Sequence, residues 1–140
     1  MNRFRWVAVC IAGAAILIFT QFPNAATMQT RGDYAAALDR VYVAYQSARA
    51  KCASLAGHDR NMCVVAAHAA EKRSKAIAAV NYRGTTTSKV DSRIADADAD
   101  LMIARVACAA RTVREKDTCV DVAKAANVKL VADASATYAY

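Results

Sequence analysis

Cysteine and histidine are the residue types in this sequence whose spacing could do chemistry. Cys52 and Cys63 are separated by ten residues, and so are Cys108 and Cys119. With His58 and His68, the first pair supplies the donor types of a zinc site. The second pair argues against that use, because the positions matching the two histidines hold Arg114 and Lys124. What repeats is the sulfur alone, and paired sulfur without a C-x-x-C motif reads as two disulfides rather than a redox centre. We expect no metal and no cofactor.

Two other clusters invite a chemical reading. Asp96, Asp98 and Asp100 alternate with alanine like the opening of a calcium loop, which needs Gly at its sixth position and a carboxylate at its twelfth. Leu101 and Ala107 stand there instead. The acids are expected to lie solvated near a helix start, where they favour the dipole. Lys72, Arg73 and Lys75 form the densest basic cluster, followed by Arg111, Arg114 and Lys116. Both could touch lipopolysaccharide, anionic lipid or another acidic polymer, although a solvated helix face needs the same charges. No G-x-S-x-G motif or catalytic carboxylate pair occurs, so an enzyme is not expected.

The elements that position these residues follow from composition. Alanine supplies 35 of the 140 residues, against four Gly and one Pro. Alanine is the strongest helix former and a poor strand residue, so the chain reads as all-α with a thin, small-residue core. So short a chain has no room for a two-domain doubly wound or barrel enzyme.

The first 26 residues read as a secretory signal. Arg3 and Arg5 precede an apolar run from Trp6 to Phe19, followed by Pro23 and the small pair Ala25 and Ala26. At 14 residues the run is shorter than a membrane span of about 20, which favours cleavage over retention as an anchor. Cys10 lies inside this run, too early for a lipid attachment site. Cleavage after Ala26 leaves four cysteines, an even number suited to a disulfide framework in an exported chain. It also leaves tyrosine as the only aromatic type, and 17 basic against 12 acidic side chains, a net charge of +5.

Residues 27–140 read as one alanine-rich helical domain made of two repeats. Sliding the chain by 56 positions superposes both cysteine pairs, Arg49 on Arg105, Val64 on Val120 and Tyr82 on Tyr138. We read an internal duplication over residues 34–84 and 90–140. Because 56 is eight heptads, helical phase is kept. Leu38, Tyr45 and Cys52 form one seam, with Val41, Ala48 and Leu55 beside it; Ile94, Leu101 and Cys108, with Ala97 and Ala104, are their counterparts. Residues 83–88 are the clearest break, and Asp33 and Asp91 are candidate N-caps.

Two disulfide arrangements fit this pattern. Gly57 can end one helix in the left-handed conformation and Asp59 can cap the next, which sets Cys52 across a hairpin from Cys63. In the second copy Thr112 to Glu115 reads as a capping box, setting Cys108 across from Cys119. Four helices in two stapled hairpins result. The alternative is one long antiparallel hairpin folded at residues 84–88. Residues 11 apart on an unbroken helix differ by only about 20° in rotation, so Cys52 would then meet Cys119 and Cys63 would meet Cys108. Local hairpins are favoured because Gly57 followed by Asp59 is costly inside a long helix.

The stretch Lys51-Cys52-x-x-Leu55-x-Gly57-x-x-Arg60-x-x-Cys63 resembles a motif of small alanine-rich exported proteins of Gram-negative bacteria. That motif is C-x-x-L-x-G-x-x-K-x-x-C followed by an Ala/Lys-rich helix, often duplicated, in proteins sometimes labelled after TolA. The second copy departs from it, with Arg111 in place of the Leu and Val113 in place of the Gly. The resemblance implies a periplasmic location and a helical fold, and it implies no reaction. The expected role is therefore structural or interactive in the cell envelope. Its partner would be an envelope protein or, alternatively, an anionic envelope polymer, with no nucleic acid and no membrane span after signal cleavage.

Overall fold

A computed structural model describes residues 30–137. The expected signal peptide, with Cys10, and Tyr138 lie outside the described residues. Four helices follow one another: α1 (Arg31–Lys51), α2 (Gly57–Arg83), α3 (Thr86–Cys108) and α4 (Val113–Ala136). A 3₁₀ turn, Cys52–Ser54, ends the first. Among the described residues, helix backbones pack only between sequence neighbours, α1 on α2, α2 on α3 and α3 on α4. The result is an open antiparallel meander in which α2 and α3 are covered on two sides and α1 and α4 on one.

The disulfides are local, Cys52 to Cys63 and Cys108 to Cys119, with Cα–Cα distances of 5.6 and 5.7 Å. Both separations fall within the ordinary range for a cystine. The single long hairpin is thereby excluded. Since the chain reverses direction at every turn, both staples lie at one end of the meander, and the Gly84–Thr85 turn lies at the other. Paired cysteines of this kind belong to an oxidising, extracytoplasmic compartment. No helix among the described residues is long and apolar enough to cross a membrane.

The core is as thin as the composition requires. Tyr45, Cys52, Cys108 and a set of alanines (Ala67, Ala69, Ala78, Ala97, Ala99 and Ala134) are its buried apolar members. Small side chains let helices approach closely but bury little area each. The two hairpins are built alike. Between α1 and α2 a groove is lined by Ala37, Arg40, Val41 and Ala44 facing Ser74 and Ala78. Between α3 and α4 the groove is lined by Arg93, Asp96, Ala97 and Asp100 facing Leu130 and Ala134, each 56 positions later.

Several local expectations change. Asp33 is not the N-cap: Thr30 is, and the Asp33 carboxylate accepts from the Thr30 backbone N–H at 3.0 Å and its hydroxyl at 2.7 Å. Asp91 lies inside α3, whose N-cap is Thr85. The break at residues 83–88 shrinks to Gly84 and Thr85. Gly84 takes a φ of 63° as a left-handed cap, and its N–H reaches the Val80 carbonyl. Ser88 is drawn into the helix and buried by donating to the Thr85 carbonyl at 2.8 Å.

Gly57 has the expected positive φ, 55°, but stands at the start of α2 rather than the end of α1. Leu55 and Ala56 are extended there, and Asp59 makes no cap bond. Leu55 leaves its seam and is 40% exposed, because α1 stops before reaching it. At the second turn the Glu115 carboxylate accepts from the Thr112 hydroxyl at 2.8 Å and its N–H at 3.4 Å.

Candidate functional site

The residues that could have done chemistry are largely committed to holding helices together. All four cysteines among the described residues are consumed as cystines, and Cys52 and Cys108 are buried. His68 projects from α2 onto α1, where the Tyr45 hydroxyl shares a hydrogen bond with its Nε2 at 2.9 Å and the rings lie 4.8 Å apart. Its Nδ1 faces Glu71 at 3.7 Å. His58 is exposed in the first turn of α2. The structure therefore does not gather Cys52, Cys63, His58 and His68 into one donor set. Among the described residues, no group of three or more His, Cys, Asp or Glu could hold a metal ion.

Asp96, Asp98 and Asp100 are corrected in both place and role. They sit well inside α3, beyond the reach of its N-terminal dipole, and they are not free in solvent. Lys72 donates to Asp98 at 2.8 Å, and Arg73 clamps Asp100 and approaches Asp96 at 3.5 Å. On the other side of α3, the Asn127 amide donates to Asp98 at 3.2 Å. One carboxylate on α3 thus binds both neighbouring helices, α2 and α4. Lys72 above all, with Asn127, holds the Asp98 carboxyl below its ordinary pKa, against a smaller upward push from burial.

The basic clusters separate in the same way. Lys72 and Arg73 are engaged across the α2–α3 joint, and Lys75 holds Glu71 on its own helix at 2.7 Å. They are structural cations. Arg111, Arg114 and Lys116 instead make no ion pair among the described residues, and they stand at the second stapled tip. Arg111 and Arg114 rim an open groove of about 500 Å³ whose floor includes Cys119 and Val122.

Arg49 and Arg60 border a comparable groove of about 310 Å³ at the first tip, over Cys52 and Val64. From the sequence these two arginines stand out only as a repeat match and a motif position, not as surface contacts. They are scattered along the chain, and only the reversal of direction at each turn brings both tips to one end. The signal that could have found them is the repeat itself, since Arg49 matches Arg105 and Arg60 matches Lys116 at the shift of 56. Comparison with family models, with curated proteins and with solved structures finds no match to this chain.

Proposed function

We propose that this is an exported, non-enzymatic helical protein of the periplasm with a structural or interaction role in the cell envelope. The observation that carries this reading is the commitment of its reactive side chains. Cysteines staple, His68 locks α1 to α2, and the acidic triplet binds α2 to α3. What the fold offers outward is surface, held in shape by two covalent links. The resemblance to duplicated, alanine-rich exported proteins supports the same reading. Crosslinking in the periplasm followed by pull-down tests it. Recovery of a defined protein partner, insensitive to salt, is the expected result; recovery of the mature chain in the cytoplasm with free thiols overturns it.

A second reading is favoured by a specific observation, the gathering at the stapled end of Arg49, Arg60, Arg111, Arg114 and Lys116, none of them in an ion pair among the described residues. Such a surface suits an anionic envelope polymer or lipopolysaccharide. Binding to lipopolysaccharide should fade between 50 mM and 500 mM NaCl, on the order of the screening length shortening from about 13 to 4 Å. It should fall with Arg111→Gln, Arg114→Gln and Lys116→Gln together, and it should survive replacement of the exposed cation Lys124.

A further inference from the structure

We propose that copies of this chain associate head to tail, the outer face of α4 in one copy packing on the outer face of α1 in the next as α2 packs on α3 within the chain. This deepens the interaction reading, on which it rests, by naming a second copy as a partner.

The two hairpins are built alike, as their grooves at matched positions show. By the shift of 56, the side of α2 that meets α3 corresponds to the outer side of α4. The side of α3 that meets α2 corresponds to the outer side of α1. The inner joint is therefore a template for an outer one, continuing an interface that the fold already makes. The directions agree too, since α4 and α1 run opposite ways, as α2 and α3 do.

What stands at the template positions is informative. The inner joint carries the ion pair Lys72 to Asp98 at 2.8 Å. The position matching Lys72 is Val128, and the position matching Asp98 is Tyr42. Both members of a charged pair are thus apolar at once, and both are open to solvent, Val128 at 68% and Tyr42 at 56%. Ala69 and Ala99, fully buried on α2 and α3, match Ala125 and Val43. Val43 is 65% exposed, so a larger side chain on α1 stands opposite a smaller one on α4 in the same register. Lys129, at the position of Arg73, brings its own counter-ion in Asp133 at 2.7 Å.

Because a face of α4 meets a different face of α1, the contact is heterologous and builds rows rather than closed pairs. Every copy in such a row presents its stapled tips on the same edge. An apolar joint of this kind does not weaken with salt, unlike anion binding at the tips.

The exported protein, purified with both disulfides formed, is to be followed by sedimentation velocity over a concentration series in 500 mM NaCl. The expected result is growth beyond a dimer. Val128→Lys alone and Tyr42→Asp alone each leave a lone charge in the joint and should raise the apparent dissociation constant at least about tenfold. Both changes in one chain copy the Lys72 to Asp98 pair and should restore growth. A mixture of the two single variants should also grow, with the variants alternating along the row, because unaltered faces meet at one joint and the two introduced charges pair at the next. Circular dichroism identical to the parent shows that these exposed substitutions leave the fold intact. A chain that stays monomeric throughout the series overturns the proposal, and so does a Tyr42→Asp variant that still dimerises through α4 alone. If the monomeric chain still captures a different protein partner in the crosslinking experiment, the interaction reading stands and self-association falls.

Discussion

Asp98 concentrates the logic of this fold in one side chain. Lys72 on α2 and Asn127 on α4 both donate to it, so protonating one carboxyl loosens two helix joints. Its folded pKa lies below its unfolded one, so the stabilisation is complete above the unfolded value and is lost as pH falls through the folded value. Asp98→Asn should therefore cost about 1 kcal/mol or less at neutral pH, the pair being partly exposed. The deficit relative to the parent should shrink as urea denaturation is repeated at pH values descending through the carboxylate range. An unchanged deficit at pH 2 would mean that packing, not charge, is what the substitution removes. Ala69 makes the opposite point about size. It is fully buried, and Ala69→Leu should destabilise by about 1–3 kcal/mol, read from the same denaturation curves, because closely approaching helices leave no room for added methylenes.

At the scale of elements, each hairpin has a covalent staple, and among the described residues the first alone adds aromatic clips. Tyr34 stacks on Tyr82 at 4.7 Å and Tyr45 bonds to His68 at 2.9 Å, tying α1 to α2 at two levels. The second hairpin has Leu101 and Lys124 where the first has Tyr45 and His68. A staple closing a loop of this length contributes about 3 kcal/mol by restricting the unfolded chain. Cys52→Ser with Cys63→Ser should lower stability by about that amount. Cys108→Ser with Cys119→Ser should lower the Tm further and fray α4, since less remains to hold it. Calorimetry of the two double variants checks the order; equal Tm values would show that the aromatic clips contribute nothing. The turn joining the hairpins depends on Gly84 at a φ of 63°, where Gly84→Ala should cost about 1 kcal/mol in chemical denaturation.

The whole molecule is an open row, so stability should be graded across it. Helices α2 and α3 have a neighbour on each side, whereas α1 and α4 have one. Amide hydrogen exchange should accordingly be fastest in α1 and α4 and slowest in α2 and α3. Uniform protection across the four helices in concentrated solution, reverting to the graded pattern on dilution, would accompany the self-association inferred above. The acidic triplet and Glu71 engage Lys72, Arg73 and Lys75, whereas Arg111, Arg114 and Lys116 at the stapled end make no ion pair among the described residues.

The helical class, the local pairing of cysteines and the capping box at Thr112 were legible in the sequence because each rests on short-range rules: alanine propensity, turn residues and ring closure over eleven positions. Cap positions and the edges of the break at Gly84 were read a few residues off, since Thr30 and Thr85 compete with nearby acids and only geometry decides which side chain reaches the free N–H groups. The partners of Asp96, Asp98 and Asp100 were not legible at all. The cations lie on α2, about 25 residues away, and Asn127 lies on α4, so which groups meet depends on how α2, α3 and α4 pack against one another. Composition by itself dictated helices with a thin core. Tertiary structure alone decided which charges are spent inside the fold and which are left to meet something else, because ion pairing depends on distances that a linear pattern does not contain.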